Sequence, residues 1–281
     1  VTDAFRPRLI RALDQEFREF GWPAIRCLWF PHLASTNQFA LDLEPTSLPL
    51  EPVLVGCDDQ QAGRGRRGRG WFSHPAHSLT FSLVFERRVH AEDSLAGLSL
   101  VIGLQLCEAL ASMVPGLSLK WPNDLLKAGR KCAGILVETR RFEQPGGSRI
   151  ERVVCGIGLN LRPPEGLSPA LSQTVSGLFD SDPPDLEGRA MLLAKVVRFQ
   201  VQGWNRFISE GLAASLGAWE RFDALRDQPI RVLADPQNPE SELTRGTARG
   251  VAADGALWVE THQGMQKVYA GEVSVRPLAL E

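Results

Sequence analysis

Residues 63–70 read GRGRRGRG, and the segments on either side of this stretch decide what the rest of the chain can be. PVLVGCDDQ (52–60) carries the apolar run of a strand, and SLTFSLVFE (78–86) alternates with the period of two that a strand requires. A turn of the G-x-G-x-x-G form binds a dinucleotide where a helix follows it, because the helix N-terminus meets the pyrophosphate. Here a strand follows, so a Rossmann turn is excluded. A kinase glycine loop does lie between strands, but no HRD or DFG sequence stands downstream. What remains is the loop's own chemistry. Glycines let backbone N–H groups approach a ligand, and guanidinium groups bind phosphate or carboxylate oxygens bidentately. The loop predicts a polyphosphate or acyl-phosphate guest; a solvated Gly/Arg turn or a nonspecific RNA contact are the alternatives.

The charge balance weighs against nucleic acid as the main partner. With 31 basic and 33 acidic side chains the net charge is -2, so the arginine cluster is local. The 43% hydrophobic content supports a packed core of ordinary size. The five cysteines, Cys27, Cys57, Cys107, Cys132 and Cys155, form no C-x-x-C pair, and the five histidines lack metal-ligand spacing. Reduced thiols in the cytoplasm are expected, with no metal site from any protein motif. No apolar run is long enough to span a bilayer, and the charged N-terminus lacks the core of an export signal.

Along the chain, Phe5, Leu9, Ile10, Leu13, Phe17 and Phe20 predict an amphipathic helix over 4–20. A strand at 27–30 leads to a helix starting at Ser35 or Thr36. A helix is expected within 94–113, strands at 117–121, 132–138 and 152–161, a Pro-rich loop at 161–173, and helices near 188–209 and 212–226. Strands with interspersed helices predict an α+β domain. After Asp227 the texture changes to short strands and turns, which predicts a small all-β barrel. The expected division is 1–226 and 227–281.

Other clusters are ambiguous one by one. Ser35-Thr36-Asn37 reads first as a helix cap. Lys120-Trp121-Pro122-Asn123-Asp124 ends a strand in turn chemistry. Lys131 is expected near Asp124 across a short hairpin, where the pair could serve one site. Gly156-Ile157-Gly158-Leu159-Asn160 fits a strand whose glycines allow close packing.

Their order and wording together resemble the bacterial biotin–protein ligases. The matching text is ASTN (34–37), DQQAGRGRRGRGWFS (59–73), KWPNDLLKAGRKCAGILVE (120–138), GIGLN (156–160) and GEVSVRP (271–277). The resemblance implies a mixed sheet with flanking helices, like a class II synthetase, followed by an SH3-like barrel. It implies that ATP, with Mg2+, and biotin give biotinoyl-5'-AMP, from which a lysine of biotin carboxyl carrier protein takes the biotinoyl group. Carried over by position, Lys131, Arg64 and Asp124 are the catalytic candidates. Ser35, Thr36, Asn37, Gln60, Arg64, Gly65, Arg66 and Lys131 fall on the biotin side, and Arg67, Arg69, Trp71, Asn123 and Asn160 on the nucleotide side. Gly70 and His74 depart from the family's wording, which leaves the looseness of the loop open. The stretch before ASTN is short for a winged-helix repressor domain, so no DNA partner is expected; the enzyme would be a monomer or a homodimer. A lipoate–protein ligase, or a non-catalytic nucleic-acid-binding protein, remains the alternative.

Overall fold

The computed structural model describes residues 2–44, 51–89, 94–143, 149–163, 174–235, 238, 240–271 and 273–278. Most of the predicted Pro-rich loop, and His90, lie outside these residues.

A seven-stranded sheet organises the larger part. Its strands are β1 (Arg26–Leu33), β2 (Val53–Gln60), β5 (Ser78–Arg88), β9 (Arg149–Asn160), β8 (Arg130–Glu143), β7 (Asp124–Lys127) and β6 (Leu117–Lys120), in that spatial order. Only β1 and β2 are parallel, and α2 (Thr36–Leu41) lies in the crossover between them; the remaining neighbours are antiparallel. The Gly/Arg loop folds as a small ribbon, β3 (Gly63–Arg64) paired with β4 (Gly70–Trp71), inserted between β2 and β5.

The two faces of the sheet follow from strand alternation. Leu79, Phe81, Leu83 and Phe85 of β5, with Val153, Cys155, Ile157 and Leu159 of β9, belong to the main core. That core includes α1 (Thr2–Glu19), α3 (Leu98–Leu110) and α4 (Leu186–Glu210). Phe5, Leu9, Leu13 and Phe17 bury one stripe of α1, at roughly 1.5–3 kcal/mol for each fully covered side chain. Ile10 and Phe20, assigned to the same stripe from sequence, are exposed, and Phe20 is capped by the Arg198 guanidinium at 3.9 Å. The opposite face carries a smaller cluster in which Ala40 of α2 meets Val53, Val55, Val84 and Val154. Arg152, 1% exposed, holds α2 on this face. It pairs with Glu86 at 2.5 Å and donates to the carbonyls of Ala40, Leu41 and Leu43, the dense pairing a buried arginine requires.

A second, antiparallel sheet follows. It comprises β10 (Pro229–Leu233), β11 (Glu242–Val251), β12 (Leu257–Thr261), β13 (Gly264–Val268) and β14 (Ser274–Pro277), in the order β13-β12-β11-β10-β14. Its apolar residues Ile230, Val232, Leu257 and Val259 join the same continuous core as the large sheet. Trp121, 2% exposed, donates its indole N–H to Gly255 O at 3.0 Å across the junction.

Three local departures from the sequence reading have physical causes. The helix expected over 212–226 is α5 (Ala213–Glu220) and stops early, because Leu119 bonds to Phe222 O and Ala224 N, drawing the chain onto the end of β6. The helix expected within 94–113 begins only after Gly97, whose φ of 82° breaks the helical path. Strands β7 and β13 carry too short or too polar a pattern to announce themselves, and each forms by pairing with a longer neighbour.

Candidate active site

The face that carries α2 is open elsewhere, and there the sheet forms the floor of a cavity of about 860 Å³. The reason is glycine at alternate positions. Gly156 and Gly158 of β9 face the cavity while Ile157 and Leu159 between and beyond them face the core. A β-carbon at Gly156 would stand 2.1 Å from Asn37 Oδ1, and one at Gly158 would stand 2.3 Å from the Trp71 indole. Both positions require glycine.

At one end, polar side chains interlock beside the capped start of α2. Ser35 caps α2 by accepting from Gln38 N at 3.3 Å. Thr36 donates its N–H and its hydroxyl to Gln60 Oε1 at 2.9 and 3.1 Å. Asn37 donates through Nδ2 to Leu136 O at 3.2 Å and Glu138 Oε2 at 2.8 Å, and Ser82 Oγ reaches Asn37 Oδ1 at 2.6 Å. With the Gln60 oxygen occupied, its Nε2 is turned toward Gly63 and remains a donor. Ser35, Thr36, Asn37 and Gln60 are buried yet line the cavity, so a hydrogen-bonding surface stands ready before a ligand arrives.

The other end is basic. Among the described residues, seven charged ones line the cavity; Arg64, Arg66, Arg69, Lys120, Lys131 and Arg276 are cations and Asp124 is the one carboxylate. Lys131 Nζ lies 2.6 Å from Asp124 Oδ1 and 5.7 Å from the centre of the Trp71 ring. Its backbone is fixed on both sides, N–H to Thr174 O and C=O from Ser176 N, each at 2.8 Å. Arg66 donates to Asn123 Oδ1 at 3.2 Å and to the carbonyls of Ala270 and Gly271. Asn123 is itself pinned to β8, its Nδ2 to Ile135 O at 2.9 Å and its carbonyl from Ile135 N at 3.0 Å. Burial, opposed by Asp124 and aided by Arg276, Lys131 and Arg69, pushes the Lys120 ammonium down to about 8. Arg66 and Arg276 are lowered too, chiefly by burial. Concentrated cations held in their less favourable state make a site whose natural complement is a polyanion.

The Trp71 indole N–H, Asn160 Oδ1 and Thr80 Oγ1 are buried without a partner among the described residues, and all three residues line the cavity. Buried polar atoms are rarely left so, and here they offer one donor, one acceptor and a hydroxyl to a ligand.

All the sequence-predicted site residues line this cavity except Arg67. Arg67 takes a left-handed conformation at the turn of the ribbon, φ 62°, and donates to Ala234 O just past the end of β10. The geometry gives it an anchoring contact in place of the expected nucleotide contact. Sequence reasoning missed Lys120 and Arg276, although both stand inside the quoted motifs. A lysine at a strand end reads as an edge residue, and nothing in GEVSVRP tells that the second sheet folds back to the first.

The family model described as Biotin/lipoate A/B protein ligase family matches residues 29–160, and that of the Biotin protein ligase C terminal domain matches residues 227–276. The Bifunctional ligase/repressor BirA of Salmonella typhimurium is 33% identical over 247 residues, 88% of this chain and 73% of that protein. The Biotin--[acetyl-CoA-carboxylase] ligase of Paracoccus denitrificans is 34% identical over 249 residues, 85% of this chain and 96% of that protein. Among solved structures, the biotin protein ligase from Aquifex aeolicus in complex with biotin and ATP shares the fold, with a TM-score of 0.72 at 24% identity over 90% of this chain and 99% of that one. The two sheets, the glycine-floored cavity between an amide-rich and a cationic end, and these matches lead to one conclusion: the chain belongs to the biotin protein ligase family.

Proposed function

We propose that the chain activates biotin with MgATP as biotinoyl-5'-AMP and then passes the biotinoyl group to a lysine of a biotin carboxyl carrier protein. A carboxylate does not acylate an amine at neutral pH. In the first step a biotin carboxylate oxygen bonds to the α-phosphorus while the bond to the bridging oxygen breaks, and pyrophosphate leaves. In the second, the acceptor amine attacks the acyl carbon, loses a proton, and AMP departs.

The observation that carries this reading is a single cavity lined by six cations and by Thr36, Asn37 and Gln60, which interlock through hydrogen bonds with one another and with Ser82. A ureido ring presents two N–H donors and one carbonyl, which hydroxyl and amide groups match. Phosphates and the biotin carboxylate repel one another, so Lys131, Arg64, Arg66 and Arg69 are placed to offset that charge as it concentrates in the transition state. Lys120 and Arg276 extend the cationic lining along the polyphosphate, and Trp71 and Asn160 offer a flat ring and an unpaired amide oxygen to the adenine. Asp124 first orients Lys131, and we assign it the proton of the acceptor amine in transfer. Mg2+ neutralises phosphate charge when bound. Among the described residues Asp124 is the carboxylate that lines the cavity, and it would be the protein group within reach of Mg2+ bound with the triphosphate.

A lipoate ligase reading fits less well, because a dithiolane ring would offer no hydrogen-bond partner to the Gln60 Nε2 donor or to the buried Thr80 hydroxyl. An RNA-binding loop also fits less well, since Arg64 and Arg66 are turned into the cavity and onto protein acceptors. Five unpaired cysteines suit a reducing compartment, and we place the enzyme in the cytoplasm, its two sheets dividing near residue 226. Incubation with ATP, Mg2+, biotin and a carrier domain tests the proposal by intact mass. One lysine of the carrier gains one biotinoyl group, and an unmodified carrier overturns the assignment.

The lowered Lys120 gives a pH signature. Ligand-free Lys120 loses its proton near pH 8, and polyphosphate binding restores it, so ATP binding at pH 8.5 takes up a fraction of a proton. Calorimetry in buffers of different ionisation enthalpy measures this, and Lys120→Ala removes it. For stability the sign is separate: the native group sits below its unfolded value of about 10.4, so the unfolded chain holds more protons, and this residue's contribution rises with pH from about 8 to 10.4.

A further inference from the structure

Glu138 does not line the cavity, yet both of its oxygens are committed to residues that do. Its Oε2 accepts from Asn37 Nδ2 at 2.8 Å, and both oxygens lie 3.3 Å from Arg64 Nη2. Asn37 is 4% exposed and belongs to α2, whereas Arg64 belongs to the Gly/Arg ribbon. One carboxylate on β8 therefore ties the helix under the amide-rich end to the ribbon that covers it. The ribbon's other side-chain hydrogen bonds run through Arg66 to Asn123 and, beside the second sheet's strands, through Arg66 to Ala270 and Gly271 and through Arg67 to Ala234. Glu138 is its ion-pair tie on the α2 side.

We propose that Glu138 is a positioning residue that holds Arg64 over the cavity and fixes the Asn37 amide, so that the biotin end is assembled before biotin binds. The consequence for that substrate rests on the functional reading above; the consequence for the ribbon does not. An ionised carboxylate only accepts, so it presents nothing but acceptors to the Asn37 NH2 and the Arg64 guanidinium. Glutamine at 138 keeps one acceptor for Asn37 but turns a donor toward Arg64, which selectively breaks the ribbon contact.

Two measurements on Glu138→Gln test this. In ligand-free protein, trypsin cleaves within 64–69 about fivefold faster than in wild type, the scale of a partly exposed ion pair. In pyrophosphate release, KM for biotin rises about fivefold and kcat falls by a similar factor as Arg64 is released, while KM for ATP stays within about twofold, a split between the two substrates that general loosening would not give. Arg64→Ala speeds nicking at the ribbon's remaining arginines to the same degree, and the double variant is nicked no faster than either single. Wild-type nicking, or an equal rise in both KM values, overturns the proposal. Wild-type protein that releases no pyrophosphate with biotin overturns the functional reading instead, and the nicking rates still decide the role of Glu138.

Discussion

Lys131→Ala lowers biotin-dependent adenylate formation by about 10²–10³-fold, the loss typical of removing one preorganised donor aimed at transition-state charge. Lys131 is the cation seated at the centre of the site, 2.6 Å from Asp124 and beside the Trp71 ring, with its backbone clamped by Thr174 and Ser176. The protein stays folded. Both partners are part-exposed, and Lys120 remains near enough to Asp124 to share its charge, so no carboxylate is stranded in the core. Lys131→Arg recovers little, because a planar fork does not replace a compact ammonium in a site built around one. Rapid-quench adenylation with a thermal melt on the same sample checks both halves; a variant with wild-type turnover removes Lys131 from the catalytic role.

The second large effect is a separation of the two substrates by glycines two residues apart. In Gly158→Ala the new β-carbon lies 2.3 Å from the Trp71 indole, so the ring must leave its seat on β9. In Gly156→Ala it lies 2.1 Å from Asn37 Oδ1, whose carboxamide is held by Leu136, Glu138 and Ser82. Overpacking of this kind costs about 2 kcal/mol, which is roughly 30-fold in affinity. Gly158→Ala is expected to raise KM for ATP by about that factor and KM for biotin little, and Gly156→Ala the reverse. Steady-state titration of each substrate against each variant reads this directly. Equal effects of both variants on both substrates would contradict the division of the cavity into two ends.

Much of this arrangement was legible in the chain. Strand alternation in SLTFSLVFE and the strand context of GRGRRGRG predicted the elements on either side of the ribbon, and both strands formed. Asp124 and Lys131 were expected to meet across a hairpin, and they lie in contact. The alternation of GIGLN was visible, but what its glycines avoid was not, since Asn37 and Trp71 come from distant segments. Arg276 and Glu138 escaped for the same reason: each acts through a neighbour more than 60 positions away, and no local pattern encodes such a meeting. Arg152 was hidden differently. An arginine within a strand reads as a surface residue, and only the acceptors at the end of α2 and Glu86 explain its burial. Arg67 was drawn into the cationic group by its neighbours, whereas the left-handed turn sends its side chain to Ala234.

The central claim is that one end of the cavity is built for a ureido-bearing carboxylic acid and the other for ATP. Exchange of labelled pyrophosphate into ATP, with the wild-type protein, Mg2+ and no carrier present, tests it most directly. Biotin supports exchange and lipoate at the same concentration does not; exchange with lipoate alone, or with neither acid, would contradict the account.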